Sequence, residues 1–150
     1  MRRVTTWAAA ALLGIAATAI APATALAAKP KIDWVRVDVP EGEDTARLTK
    51  VLKEALKHAA KRADFGKAVK TVSLSARIVE LKTEQQGDVL RVSCTILGRV
   101  TGGPSARSRI SYGGRPDNRR ELQKNVLTMV ANGLVARLAQ IVRTRPPKVR

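Results

Sequence analysis

The stretch KTVSLSARIVELKTEQQGDVLRVSCTILGRV, residues 70–100, decides the fold because it contains two strand-like patterns joined by a turn. In its second half, apolar residues occupy every other position: Leu90, Val92, Cys94 and Ile96. The positions between them are polar: Arg91, Ser93 and Thr95. Because period-two alternation is typical of a strand with one buried face, we predict a strand over Val89–Val100. The turn at Gln85–Asp88 predicts that it forms a hairpin with the strand before it.

The first half of the stretch predicts a strand with an irregularity in its middle. Over residues 70–83 the apolar positions keep one phase and then change it: Val72, Leu74, Ala76 and Ile78, then Val79 and Leu81. A β-bulge inserts one extra residue into a strand and would reconcile the two phases. We therefore predict a bulge near Ile78–Val79.

The sequence after the hairpin predicts a fourth strand and a long helix. Two sets of residues alternate in the strand: Ala106, Ser108, Ile110 and Tyr112 with Arg107, Arg109 and Ser111. Gly113–Gly114 ends it, and Pro116 or Asp117 opens the helix, with Asp117 as the expected N-cap. The helix has an apolar stripe: Leu122, Val126, Met129, Val130, Gly133, Leu134, Leu138 and Ile141. Since Gly133 lies inside this stripe, we expect close packing there.

The sequence before the hairpin predicts a first strand and a first helix. In the strand, Ile32–Val39, we expect two faces: Val35, Val37 and Val39 on one, Trp34, Arg36 and Asp38 on the other. The helix covers Glu43–Asp64 and has its own apolar stripe: Leu48, Val51, Leu52, Ala55, Leu56, Ala59 and Ala63. Gly66 is the expected C-terminal cap. The opposite face carries a row of lysines: Lys50, Lys53, Lys57 and Lys61. This row is either a solvated face or a surface that binds an anionic partner.

The element order β-α-β-β-β-α predicts an α+β fold. The economical arrangement is a two-layer sandwich, with a mostly antiparallel four-stranded sheet and two helices on one face. The sequence leaves the strand order open. We expect one domain over residues 28–142, followed by a basic C-terminal tail at 143–150.

Residues 1–27 have the features of a cleaved signal peptide. Arg2 and Arg3 precede an apolar run from Trp7 to Ala21, and Ala25–Ala27 offers a cleavage site before Ala28. The alternative is an uncleaved membrane anchor, although the run is rich in Ala and Thr and is followed by a proline. Position 28 is not Cys, so we expect a soluble periplasmic or extracellular protein rather than a lipoprotein. The Sec and twin-Arg export routes both stay open.

Basic residues dominate the charge of the chain, most strongly in its last third. The full chain has 28 Lys and Arg against 12 Asp and Glu, and residues 99–150 hold 12 of the basic residues but only 2 of the acidic ones. Such a field attracts anions, although an inherited compositional bias would produce it too. Cys94 is the only cysteine, so no internal disulfide is possible. We expect a small buried side chain, and the alternative is a disulfide to another molecule.

The basic residues around the fourth strand and the second helix form the candidate site for an anion or partner: Arg107, Arg109, Arg115, Arg119, Arg120 and Lys124. Gly113–Pro116 precedes a helix N-terminus, where free N–H groups favour anions. The P-loop pattern is nevertheless absent, and Asp117 would occupy the capping position. The sequence therefore favours a structural hairpin-to-helix corner over a specific phosphate loop.

No catalytic pattern stands out in the sequence. His58 is the only histidine, no serine lies in a nucleophile-elbow motif, and one His with one Cys makes a metal site improbable. The acidic loop of Glu41, Glu43 and Asp44 is better explained as helix-start acids than as a calcium site. We expect no enzyme activity, no cofactor and no metal.

These observations predict an exported, non-enzymatic binding or scaffolding protein of the bacterial envelope. Its basic surface would meet an acidic protein or an anionic envelope polymer, or an edge strand would add to a partner's sheet. The alternative is a protein that binds nucleic acid or another anionic polymer. Few aromatic residues are available for stacking, which disfavours nucleic acid as the partner in the cell. A small enzyme with an unrecognised site is a further alternative, and the oligomeric state is open.

Overall fold

A four-stranded sheet and two helices form the two layers of the protein, as the sequence predicts. The computed structural model describes residues 28–145. The strands are β1 (Lys31–Asp38), β2 (Thr71–Gln86), β3 (Val89–Val100) and β4 (Ser105–Gly114). The helices are α1 (Thr45–Arg62) and α2 (Arg119–Thr144), and a short 3₁₀ turn at Pro116–Asn118 leads into α2.

The strands lie in the sheet in chain order, β1-β2-β3-β4. β1 runs parallel to β2, whereas the other two pairs are antiparallel. A parallel pair needs a crossover connection, and α1 supplies it. The predicted α+β fold with a mostly antiparallel sheet is therefore confirmed, and the strand order is now known.

The β2–β3 hairpin has the turn and the bulge that the sequence predicts. Gln86 pairs with Val89 across a two-residue turn, in which Gly87 has a positive φ of 59°. The pairing register shifts between Ile78 and Glu80, so the extra residue is Val79. The bulge turns Leu81 to the same face as Ile78.

The predicted faces of β1 are right for Val37 and Val39 but wrong for Val35 and Trp34, because this strand also contains an irregularity. The register with β2 shifts between Trp34 and Arg36, and Val35 is 66% exposed. The shift puts Ile32 and Trp34 on the core side before it and Val37 on that side after it. A single alternation over the whole strand cannot describe this backbone, because a bulge reverses the phase.

The two helices lie side by side and run in the same direction. Near their starts Arg47 Nη2 donates to Gln123 Oε1 at 2.6 Å, and near their ends Arg143 Nη1 donates to Asp64 Oδ2 at 3.3 Å. α2 packs on β3 and β4, and its buried surface is wider than the predicted stripe: Leu127, Ala131, Val135, Ala139 and Val142 are also buried. Gly133 confirms the predicted close packing, because a Cβ there would lie 2.8 Å from Ser108 Oγ.

Two predicted helix caps need correction. Asp117 lies inside the 3₁₀ turn, and Asn118 occupies the N-cap position of α2. Ala63, in an extended conformation, is the C-cap of α1, so Gly66 is not the cap although its φ is 78°. Gly66 instead turns the chain toward β2, and its N–H donates to Asp64 Oδ1.

α2 continues through Thr144, so the first residues of the expected tail are helical. The predicted signal peptide at 1–27 and residues 146–150 lie outside the described residues. By length and composition, the helical segment Pro116–Thr144 would suffice to cross a membrane. Half of its most apolar window is buried inside the protein, as in the core helix of a soluble domain.

Candidate anion-binding surface

Arg107 and Arg109 lie on the face of the sheet that the helices leave uncovered. Along β4 they alternate with Ala106 and Ser108, which are buried beneath α2. Both arginines are exposed and, by this alternation, point away from the helices. The predicted orientation of these side chains is therefore confirmed.

The strand order brings further arginines from β2 and β3 to the same face. Leu97 of β3 pairs with Arg77 on one side and Arg107 on the other, and Thr95 pairs with Glu80 and Arg109. We call this surface the open face and define it by its outward residues: Ser75, Arg77, Glu80, Lys82, Glu84, Arg91, Ser93, Thr95, Leu97, Arg99, Ser105, Arg107, Arg109 and Ser111.

The carboxylate in the middle of the open face is held by its neighbours. Lys82 Nζ lies 2.7 Å from Glu80 Oε1, and this contact is the main cause that lowers the pKa of Glu80. The positive charges of Arg109 and Arg107 lower the pKa of Glu80 further. Glu80 therefore stays ionised and offsets part of the local positive charge.

Five arginines on the open face have no ion-pair partner within residues 28–145: Arg77, Arg91, Arg99, Arg107 and Arg109. Their guanidinium groups can bind carboxylate, sulfate or phosphate in a bidentate manner. The open face therefore offers several separate anion-binding groups on one surface.

A shallow depression lies at the β1 side of this face. Its volume is about 420 Å³, and Arg36, Arg77 and Arg99 surround it, with Ser75 and Leu97 among its lining residues. Asp38 is the carboxylate in the lining, and Arg36 Nε lies 2.7 Å from Asp38 Oδ2. The acid is thus already paired.

Hydroxyl groups lie between the arginines of the open face. Ser93 Oγ and Ser111 Oγ are 2.8 Å apart across the β3–β4 pair. Thr95, in the row of Glu80 and Arg109, is only 1% exposed, so the long neighbouring side chains cover it. Small polar residues beneath the arginines give the face a polar floor that a partner can approach closely.

The remaining candidate residues form a second group at the start of α2. Arg115, Arg119, Arg120 and Lys124 are all exposed. The structure does not place their side chains on the open face, because α2 lies on the opposite side of the sheet. The sequence therefore grouped two surfaces that the fold separates.

Charges of both signs meet at the start of α2. The pKa of Asp44 is lowered mainly by its hydrogen bond with Arg47, and also by the charges of Arg120 and Arg119. The Arg47 guanidinium lies 3.1 Å from Asp44, and Gln123 Nε2 donates to Thr83 Oγ1 at 3.3 Å. These bonds tie both helix starts to β2, which indicates a structural role for this corner.

The glycines before α2 are also explained by packing. Gly113 and Gly114 are the last residues of β4, and a Cβ on Gly114 would lie 3.0 Å from Leu122 Cδ1. The absence of a side chain lets the strand end approach the first turn of α2. This geometry favours the hairpin-to-helix corner over a phosphate loop.

Sequence reasoning missed Arg77, Arg91 and Arg99 as members of the surface. The alternation of β3 already placed Arg91 on the face opposite the apolar residues, so the sequence alone could have predicted that this arginine points outward. What the sequence lacked was the strand order, which decides that residues of β2, β3 and β4 share one surface.

No family model matches the chain, and no curated protein matches it. Several solved structures are similar in backbone. A minor lipoprotein from Acinetobacter baumannii is 14% identical, with 82% of this chain and 98% of that chain covered and a TM-score of 0.37. A hypothetical protein from Chlamydia trachomatis is 14% identical, with coverages of 79% and 100% and a TM-score of 0.43. The PelC dodecamer from Paraburkholderia phytofirmans is 15% identical, with coverages of 81% and 92% and a TM-score of 0.34. Likeness at this level carries no functional argument for the present chain.

Proposed function

We propose that this chain is an exported, non-enzymatic binding or scaffolding protein of the bacterial envelope, which holds an anionic partner against its open face. The observation that carries the proposal is the set of five arginines, from three neighbouring strands, that have no ion pair among the described residues. The helices occupy the other face, so a partner can reach these side chains directly.

The spacing of the arginines suits a partner with several anionic groups. Arg77 and Arg107 lie two strands apart in one row, which corresponds to about 10 Å, and Arg107 and Arg109 are about 7 Å apart along β4. These are spacings between backbone positions, from which the arginine side chains can spread over several anionic groups of one extended partner. An anionic envelope polymer or an acidic protein surface would present charges at several of these positions together.

The aromatic residues argue against single-stranded nucleic acid as the partner. Base stacking needs exposed rings on the binding surface. Among residues 28–145, Phe65 is buried and Trp34 lies on the core side of β1. Tyr112 is 53% exposed, but it follows the helix-facing phase of β4 and so does not lie on the open face. The open face therefore offers charge without stacking platforms, which favours a polymer of sulfate, phosphate or carboxylate groups.

The test is retention on a column of heparin, a sulfated polysaccharide, eluted with a salt gradient. Two double variants remove the same charge from different places: Arg107→Ser with Arg109→Ser on the open face, and Arg119→Ser with Arg120→Ser at the start of α2. We expect the open-face variant to elute at distinctly lower salt than the parent, because exposed charge contacts are screened by salt. The α2 variant should elute close to the parent.

Equal shifts for the two variants would mean that the column senses only total charge, and the open-face proposal would then be wrong. A third variant, Arg77→Ser with Arg99→Ser, extends the test to the depression. It should behave like the β4 variant, because its residues lie on the same face. Circular dichroism of each variant checks that the fold is retained.

Export is a separate part of the proposal and has a separate test. The sequence pattern before Ala28 supports removal of residues 1–27. Intact mass of the protein recovered from the cell envelope or medium of a bacterial host should correspond to a chain that begins at Ala28. An intact N-terminus, or retention in the cytoplasm, would contradict this part of the proposal and leave the open-face mechanism to be judged by the column.

A further inference from the structure

A cavity separate from the open face lies between the first strand and the second half of α1. Its volume is about 310 Å³. Its lining combines apolar and basic residues: Lys29, Pro30, Ile32, Trp34, Lys57, Ala60, Lys61, Ala63 and Phe65. The volume is at the lower end of the range of about 300–1,000 Å³ that is typical of ligand sites.

The cavity has an apolar interior and a basic rim. Ile32, Trp34 and Phe65 supply apolar surface, and two small residues, Ala60 of α1 and its C-cap Ala63, leave space beside them. Lys57 and Lys61 are four residues apart on α1, so they lie on the same side of the helix. A second hollow of about 260 Å³ shares Lys29, Pro30, Ala63 and Phe65 with the first and extends it toward Lys67.

Trp34 is unusual among the residues that line this cavity. Its indole Nε1–H is shielded from solvent and has no hydrogen-bond acceptor within residues 28–145. Buried polar groups in native proteins almost always have a partner. A ligand that brings an oxygen atom to this ring would supply the acceptor that the indole N–H lacks.

We propose that this cavity binds a single-chain anionic amphiphile, an acyl chain of medium length that ends in a carboxylate or phosphate. The apolar interior would bury the chain, and Lys29, Lys57 and Lys61 would neutralise the head group. The lining as a whole suits neither a purely polar anion, which would leave the apolar interior unfilled, nor a neutral hydrocarbon, which would leave the lysines without a partner. Only Lys57 and Lys61 of the lysine row on α1 belong to this site, because Lys50 and Lys53 do not line the cavity.

The probe for the test is decanoate, and the reporter is Trp34. The chain has two tryptophans, Trp7 and Trp34, so the full chain with Trp7→Phe keeps one indole at the site. We expect decanoate to change the emission of Trp34 in a saturable manner. The affinity should rise about fourfold for each added methylene between octanoate and dodecanoate, as expected for chain burial.

Matched charge variants test the rim. In the Trp7→Phe background, Lys57→Gln with Lys61→Gln should weaken decanoate binding at least several-fold. Lys50→Gln with Lys53→Gln removes the same charge from the same helix and should leave binding unchanged. Decanol, which lacks the charge, should bind the parent more weakly than decanoate.

Three results would overturn the proposal. They are an absence of saturable change in Trp34 emission, equal losses in the two lysine variants, and equal affinity for decanoate and decanol. Vesicles of phosphatidylglycerol distinguish the sources of the amphiphile. A response to decanoate alone indicates a free amphiphile, and a response to both indicates that a lipid chain also reaches the cavity. A response to vesicles alone would contradict the proposed site.

Discussion

Replacing Gly98 with alanine should destabilise the protein, although the backbone at this position suits any residue. Gly98 is a buried residue of β3 without a positive φ. A Cβ there would lie 2.9 Å from both Cδ atoms of Leu134 and 3.0 Å from Leu138 Cδ1. Favourable contacts between carbon atoms are about 3.5–4.0 Å long, so each methyl would have to move by about 0.5–1 Å.

The expected magnitude follows from two opposing effects. Overpacking a core costs about 1–3 kcal/mol, whereas Gly→Ala at an unstrained position gains about 0.4–1 kcal/mol by restricting the unfolded chain. Leu134 and Leu138 are both 0% exposed and lie on one helix, so any shift of their methyl groups has to be accommodated inside the packed core. We therefore expect Gly98→Ala to lower the free energy of unfolding by about 1–2 kcal/mol.

Urea denaturation measures this change, and a double-mutant cycle tests its cause. Leu134→Ala alone should cost about 2–5 kcal/mol because it leaves a cavity. Combined with Gly98→Ala, its cost should be clearly smaller, because the new methyl enters the space that the leucine vacates. Gly42→Ala is the control, since a Cβ there meets nothing within 4 Å. Additive costs in the cycle would refute the close contact between Gly98 and the leucines of α2. A Gly98→Ala variant as stable as the parent would refute it as well.

Two further predictions concern the core and the helix starts. Burial raises the pKa of Cys94 from its ordinary 9.0 to about 12. Between these values the unfolded thiol ionises and the folded one does not, so stability is lost as pH rises. The Cys94 thiol should lower the free energy of unfolding by at most about 1.4 kcal/mol for each pH unit in this range. Urea denaturation at pH 8 and pH 10 should show this loss in the parent but not in Cys94→Ala. A thiol reagent that labels the folded protein as fast as the unfolded one would contradict the burial of Cys94. Gln123 is 5% exposed and bonds to Arg47 and Thr83, so Gln123→Leu should cost about 1–2 kcal/mol by the same assay. An unchanged denaturation midpoint would show that these bonds contribute nothing to stability.

Local patterns predicted most of the secondary structure because the responsible interactions are local. The alternation in β3, the turn at Gly87 and the phase change at Val79 all lie within the sequence that they describe. The alternation of apolar and polar residues did not predict the bulge in β1. This strand has eight residues, which are too few to reveal an irregularity that the pairing with β2 imposes. The N-cap of α2 was misplaced because a 3₁₀ turn precedes the helix.

The candidate site was harder to predict because it depends on which strands are neighbours. Arg107 and Arg109 were identified from the alternation of β4 alone. Arg77 and Arg99 share this surface only because β2, β3 and β4 are neighbours in the sheet. Arg119 does not share it, because α2 packs on the opposite face. The cavity beside Trp34 likewise joins residues distant in sequence, so no spacing of residues could indicate it.

The most direct test of anion binding by the open face is an NMR titration of the labelled protein with a heparin-derived oligosaccharide. The Nε–Hε signals of the arginines report on each guanidinium separately. The open-face account predicts that the signals of Arg77, Arg99, Arg107 and Arg109 shift together with amides of β2, β3 and β4. Signals of Arg119 and Arg120 should change little. The largest shifts at the start of α2, with the open-face signals unmoved, would contradict the account.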